Sequence, residues 1–363
     1  MSFSCSSINS EVKNVGVPEN YVIDLEEAIE ENDLEIEPVT LTPLSQPLDF
    51  NGFSDHLKLE VRENIFYVFD IKQQFLMVYD SLGNAIQKIG NKGRGPGEFS
   101  GVIDYAVSKD EVVFLKKAGN NLILITFDKA GNYMREEKIP VSGMSLARFG
   151  SGDHLVFTGW NNKIVPNKLY RIDHVTRELT GFFPHEFEEP KIPIEGDTFT
   201  GNNGSIYFLE TLKPEIFKVT ENNELKLYAY IDQGDFEIDT DFWSMEPMKA
   251  MESLIKKGFY HCGYFWITED LIGLEGWVTK DNGESQDIFL AIHQINTGIT
   301  KAKILKLGTI DQLLLDIFQI NDSRLYSLGD GYAIKELELE HALDIDVEVS
   351  DTTYYLVKSE LRF

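Results

Sequence analysis

The chain repeats itself, and that repeat constrains its fold more than any single motif. Residues 64–90, NIFYVFDIKQQFLMVYDSLGNAIQKIG, align with residues 111–139, EVVFLKKAGNNLILITFDKAGNYMREEKI. Each begins with an apolar-aromatic run and a loop. A second run follows, ending in an aromatic residue and Asp (Tyr79-Asp80, Phe127-Asp128), and then an x-x-Gly-Asn turn and a further run. The same order returns with more drift at residues 154–183, 205–231 and 271–307, and a sixth copy opens at Arg324-Leu325-Tyr326-Ser327-Leu328. Short runs rich in β-branched and aromatic residues, bounded by Gly, Asn and Asp, are strands rather than amphipathic helices. The turns Ser81–Asn84, Lys129–Asn132 and Asn202–Gly204 supply residues tolerant of positive φ where hairpins reverse.

A period of roughly 40 to 60 residues suits a four-stranded propeller blade and exceeds most solenoid repeats. The chain therefore reads as all-β, a six-bladed β-propeller over residues 35–363, preceded by a tether and acidic lead-in over residues 1–34. Candidate innermost strands are His56–Arg62, Val102–Ser108, Met144–Gly150, Asp197–Gly201, Tyr260–Ile267 and Leu314–Ile320. The sixth copy lacks outer strands locally, and Thr353–Arg362 with Glu35–Leu44 are the segments that can supply them. Both ends of the chain would then meet in one blade, closing the ring and removing the free edges of an open array. One segment breaks the β pattern. Asp239–Lys257 carries Phe242, Met245, Met248, Met251 and Leu254 at three-residue spacing with Pro247 early, which predicts a short amphipathic helix inserted before blade five.

The segment Ile89–Phe99, IGNKGRGPGEF, stands between the first and second blades. It resembles the G-x-x-G-x-G-P-G-[EQ]-F connector of NHL-type repeats. More closely, the chain resembles the six-bladed β-propeller lipoproteins of the Bacteroidetes, through an early Cys, an acidic lead-in, this connector and an apolar final strand. It carries one clean copy of the connector, and its ending TTYYLVKSELRF matches imperfectly. The resemblance implies architecture and compartment more than chemistry, because many members have no assigned activity. Physically, Gly90, Gly93, Gly95 and Gly97 permit a sharp inter-blade turn while Pro96 fixes one φ. The loop's amides, together with Lys92 and Arg94, can alternatively form an anion nest. It is not a P-loop, since no Gly-Lys-[Ser/Thr] ends it.

Charge and cysteine content narrow the partners. With 33 Lys+Arg against 60 Asp+Glu the net charge is −27, which phosphate backbones repel, so nucleic acid is not an expected partner. Two cysteines, Cys5 and Cys262, make neither a disulfide framework nor a zinc site by themselves. Ser4-Cys5 followed by a polar stretch fits the lipidated cysteine of a bacterial lipoprotein. The expectation is a cell-envelope protein (periplasmic or outer-membrane) touching the membrane only through a lipid on Cys5, its leader lying upstream of Met1. The alternative is a cytoplasmic protein with an incidental cysteine. The acidic run Glu26–Glu37 reads as a solvated lead-in with a helical turn.

No local motif gives chemistry. The histidines His56, His154, His174, His185, His261, His293 and His341 show no H-x-H or H-E-x-x-H spacing. His56 and His261 fall on inner strands and can face the channel. Adjacent residues on a strand point to opposite faces, so His261 and Cys262 are no nucleophile–base pair. No G-x-S-x-G elbow or EF-hand loop is present. A calcium or other divalent ion in the central channel would draw on Asp104 and Asp316. Trp160, Trp243, Trp266 and Trp277 are the large rings that could stack on a sugar if exposed.

Two readings follow. The first is a non-enzymatic envelope propeller that recognises a glycan, peptide or protein through loops on one face. The second is a metal-assisted lyase or hydrolase with its site in the channel, which clustering of three or more of His56, Asp104, Tyr105, Arg148, His261 and Asp316 around the axis would favour. In either case the Gly90–Gly97 loop and the helical insert both join an outer strand to the next inner one, so they should share a face. The expected ligand-binding residues there are Lys92, Arg94, Trp243 and His261.

Overall fold

A computed structural model describes residues 20–47, 50, 52–54, 57–159, 165–185, 198–202, 204–257, 260–280, 285–305, 318–321, 324–336 and 349–363. Six sheets form the blades: five are built on four consecutive antiparallel strands, and the sixth joins strands from both ends of the chain. Blade one contains Leu57–Arg62, Ile65–Asp70, Phe75–Tyr79 and Ala85–Ile89; blade two contains Val102–Val107, Glu111–Ala118, Asn121–Asp128 and Tyr133–Ile139. Blade three runs Ser145–Arg148, His154–Phe157, Asn167–Ile172 and Leu179–Pro184; blade four runs Phe199–Asn202, Ser205–Leu209, Glu215–Val219 and Leu225–Asp232. Blade five is Tyr260–Ile267, Leu271–Lys280, Ser285–Gln294 and Thr300–Leu305. The first strands of blades two to six pack against each other in turn and that of blade six against that of blade one, while Lys58–Asp104 and Arg62–Val107 bonds join the first strands of blades one and two. The strands expected innermost are therefore innermost, with starts shifted by up to a few residues. Of those expected strands, His56, Asp197 and positions 314–317 lie outside the described residues.

Blade six combines both ends of the chain. Phe318–Asn321, Arg324–Asp330 and Tyr354–Arg362 are its inner three strands, and Glu35–Pro43 is its outermost. Glu35 pairs with Arg362 and Pro43 with Tyr355, with one register shift between Pro38 and Thr40. Proline lacks an amide donor, so it is tolerated on an outer strand at an irregularity and not inside the sheet.

The lead-in before this strand does more than solvate the ring. Tyr21–Asp24 adds a fifth strand to blade four, parallel to Leu225–Asp232. Asp24 then caps the helix Leu25–Glu31 by accepting the Glu27 amide at 3.0 Å, satisfying one of its free donors. The expected helical turn is there, and Glu27, Glu30 and Glu31 are exposed. Its other face buries Leu25, Ala28 and Ile29 in the core between blades four and five, and Leu34 enters the core between blades five and six. The acidic residues give the segment its charge, and these four apolar residues fasten it.

The insert before blade five opens with two turns of 3₁₀ helix, Gly234–Phe236 and Thr240–Ser244, and continues as the α-helix Pro247–Lys257. Pro247 sits at its first position, where the missing amide costs nothing. Phe242, Ala250 and Leu254 bury against Leu212, with Met245 and Met251 at the margin, but Met248 points outward at 74% exposure. That corrects the expected five-residue stripe. A step of three residues advances 300° around an α-helix, so the row drifts off the buried face, whereas the four-residue step Ala250–Leu254 stays on it.

Closure makes a prediction. Deleting Thr353–Phe363 removes the strand that pairs Glu35–Pro43 with the rest of blade six, so the truncated protein should aggregate or melt far below the parent in a thermal scan. A soluble truncation with the parent's melting temperature would sink the closure argument.

Candidate functional site

The glycine-rich connector is held from within. Asn91-Lys92 and Glu98-Phe99 pair as a short parallel ribbon. Phe99 is fully buried beside Phe114 and Phe127 in the core between blades one and two. Gly90, at φ +79°, lies against the Phe99 ring, where a Cβ would overlap it. The Glu98 carboxylate accepts the amides of Arg94 and Gly95 at 3.0 and 2.9 Å. The anion that fits this nest is thus the chain's own Glu98, and the connector is first a structural turn. Lys92 and Arg94 stand exposed on its outside. Phe53-Ser54, before the first strand of blade one, repeats the Phe99-Ser100 pair. Buried Asp70 accepts both the Ser54 amide and hydroxyl at 2.7 Å, and Phe53 packs edge-on against Tyr354. This second, degenerate connector escaped the sequence reading because it keeps one glycine, Gly52, against the four of Gly90–Gly97, while its aromatic anchor remains.

Trp243 belongs to the insert. It packs edge-on against Phe242 and carries Lys213 Nζ 3.7 Å from its ring centroid. Strand order places the insert and the glycine connector on one face, since both join an outermost strand to the next innermost. They leave the ring between blades four and five and between blades one and two, half a turn apart, so no single small group spans Arg94 and Trp243. His261 lies on the innermost strand of blade five; its side chain, and that of Cys262, lie outside the described residues. So do Cys5, His56, Trp160 and Asp316.

Asp104, the other channel carboxylate, is committed. Its Oδ1 accepts Lys58 Nζ at 2.9 Å and the Tyr105 amide at 2.8 Å, and its Oδ2 accepts the Leu146 amide at 2.7 Å. One buried side chain thereby ties the inner strands of blades one, two and three. Other polar groups do the same work. Gln74 brackets the Val102 peptide, accepting its N–H at 2.8 Å and donating to its C=O at 3.0 Å. Arg62 donates to the Val107 carbonyl at 2.8 Å, Ser145 and Thr198 share a hydroxyl bond at 3.0 Å, and Gln319 accepts the Val61 amide. Between blades three and four, Lys168 and Glu210 form an ion pair at 2.8 Å with both side chains 4% exposed.

A charged seam runs along the junction of blades two and three. Arg148 Nη1 meets Glu111 at 2.7 Å and Ser108 Oγ at 2.8 Å. Glu111 meets Arg135 at 3.5 Å, Arg135 meets Glu137 at 3.3 Å, and Glu137 meets Arg177 at 2.9 Å. Beneath lies His154, 1% exposed, with neither ring nitrogen hydrogen-bonded; the Arg177 Nη1 is likewise buried and unbonded. Burial, then the charges of Arg148, Arg177 and Arg135, push the His154 imidazole down to about 3. Of these residues the sequence reading named only Arg148 and His154, because the partners come from two blades and share no local motif. Nearby, Asp153, Asp173 and His174 gather donor atoms within 4.8 Å. Burial alone would raise the Asp153 carboxyl, but the His174 amide and ring and the Arg171 guanidinium outweigh it and hold it at about 2. With Arg171 2.6 Å from its Oδ2, that carboxylate is already neutralised.

His154 gives stability a defined pH dependence. The unfolded imidazole protonates near ~6.5 while the folded one stays neutral to about 3, so below pH ~6.5 the unfolded state binds the extra proton. Stability present at neutral pH is therefore lost as pH falls, at up to about 1.4 kcal/mol per pH unit from this group. Urea unfolding between pH 7 and 4.5 should show a shallower decline for His154→Gln than for the parent; parallel profiles would refute the assignment.

The fold has known relatives. A "Putative exported protein" from Bacteroides fragilis is similar at 16% identity and a TM-score of 0.71, covering 93% of this chain and 98% of its own. A member of the duf4221 family from Bacteroides vulgatus is similar at 9% identity and a TM-score of 0.59, covering 91% and 99%. Such likeness shows the fold alone. No curated protein matches the chain. The family described as "Domain of unknown function (DUF4934)" matches residues 53–348, most of the ring, and the chain belongs to that family.

Proposed function

We propose that this protein is a non-enzymatic binding propeller of the bacterial cell envelope, recognising a glycan, peptide or protein partner through its loops. The observation that carries this reading is Asp104. The described carboxylate best placed to hold a channel metal instead bonds Lys58 of blade one, the Leu146 amide of blade three and the Tyr105 amide of its own strand. A ring whose inner polar groups hold the blades together presents its ligands with the loops outside, and adaptable loops on a rigid frame are where recognition concentrates. The connector face supports it: a loop braced by Glu98 and Phe99 holds Lys92 and Arg94 outward without needing to be ordered on binding. Envelope location rests on the fold's likeness to the Bacteroides fragilis protein and on Cys5, proposed as the lipid acceptor of the natural precursor. Among the described residues, no helix is long and apolar enough to cross a membrane.

Chelation tests the reading. Dialysis against EDTA should leave the melting temperature unchanged, and fluorescently labelled protein should select ligands from glycan and peptide arrays that a Lys92→Ala/Arg94→Ala variant no longer selects. A tightly held metal whose removal lowers the melting temperature, or turnover of an arrayed ligand, would overturn it in favour of a metal-assisted lyase or hydrolase.

A further inference from the structure

The seam between blades two and three is built for more than holding those blades together. Its five ionised groups alternate, Arg148, Glu111, Arg135, Glu137, Arg177, and three arginines against two glutamates leave one positive charge uncompensated. A ladder serving only to clamp the blades would end with its donors used. Here the Arg177 Nη1 is buried without a partner, and so are both nitrogens of His154. Leaving a buried polar atom without its bond costs roughly 1–3 kcal/mol, so two donors and one acceptor nitrogen left unpartnered in one seam mark a place where something else is received.

The chemistry of what is received follows from the neighbours. A cation is excluded by the three guanidiniums around His154. Glu111 and Glu137 already face arginines, and the Asp153 carboxylate beside His154 is taken up by Arg171 and His174. A neutral imidazole supplies one N–H, and Arg177 supplies a second donor. We propose that this seam is a binding site for a single oxyanion group, a carboxylate, sulfate or phosphate borne by a ligand, with Arg177 and His154 donating to it and Arg148 and Arg135 supplying the field. The opening is on the ring: Arg135 and Arg177 side chains are 34% and 32% exposed while His154 is at the floor. It lies toward the face of the within-blade hairpins 108–111, 149–153 and 173–178, opposite the glycine connector. The site is independent of the connector reading, and either can fail without the other.

The test uses the full chain and three probes: sodium sulfate, sodium phosphate and sodium acetate, each against sodium chloride at matched ionic strength. At least one oxyanion should raise the melting temperature saturably and shift the ring signals of His154 in a ¹³C-histidine NMR spectrum, identified by their loss in His154→Gln. Arg177→Gln should weaken that binding by about tenfold or more, as loss of one charge-assisted bond implies, while array binding that depends on Lys92 and Arg94 stays unchanged. If Arg177→Gln folds poorly, Arg177→Lys keeps the charge, removes Nη1 and should still weaken the probe. A response that tracks ionic strength alone, an undiminished response in both Arg177 variants, or unmoved His154 signals would overturn the site, leaving the atoms to an ordered water.

Discussion

The pairing of Glu35–Pro43 with Tyr354–Arg362 is the interaction on which the rest of the molecule depends. Five blades have four antiparallel strands from continuous sequence, but the sixth has three until residues more than 300 apart meet. Until the ring closes, the apolar faces that blades one and six turn towards each other are uncovered. Leu59, Val61, Phe66 and Val68 of blade one, for example, are buried against Tyr326, Leu328 and Leu356 of blade six. Closure thus adds a sixth junction to the five of an open array, leaving no blade with an uncovered apolar face, at the loop-closure cost of contacts more than 300 residues apart. The lead-in reinforces it. By adding a strand to blade four, a helix beside blade five and Leu34 to the junction with blade six, residues 21–34 carry the closing strand to its place.

Apolar packing between blades is tolerant of sliding, since sheets of similar shape can shift against each other. Directed bonds remove that freedom. Asp104 fixes three inner strands to one point, Gln74 reads the Val102 peptide as a neighbouring strand would, and Lys168–Glu210 sets blade three against blade four. A buried pair of this kind is weak evidence for net stability, because desolvation offsets the Coulomb gain, but removing one partner typically costs about 3–5 kcal/mol. Such pairs specify which arrangement of blades is native.

The architecture was legible because its signals are local. Aromatic-Asp followed by x-x-Gly-Asn recurs where hairpins must turn: Asp80 and Asp128 each accept the amide and side chain of the Asn four residues on, in the same geometry. Ring closure was legible from arithmetic, as a sixth blade short of strands and two unclaimed terminal segments. The site was not. Glu98 filling the nest it helps define is a tertiary contact within a loop, and no residue spacing announces it. The seam draws Glu111 and Arg135 from blade two and Arg148, His154 and Arg177 from blade three, so its members are up to 66 positions apart, 111 to 177. A lone buried histidine reads as ordinary core until its neighbours are known to be arginines.

The overall charge decides which oxyanion such a seam can take. At a net charge of −27 the protein repels extended polyanions at long range, and an anionic polymer would meet that field along its whole length. Screening limits it: at physiological salt an exposed charge is felt over about 8 Å. Inside that distance the local excess of arginine dominates, and the partly buried setting strengthens it because fewer counterions intervene. A ligand that carries one acidic group on a neutral body is therefore attracted at contact without being excluded on approach. Polymers of high charge density fail the second condition even where they satisfy the first. On the proposed oxyanion reading, the acidic surface and the arginine seam would act together as a filter, favouring a ligand with one isolated carboxylate, sulfate or phosphate group over a polymer of high charge density.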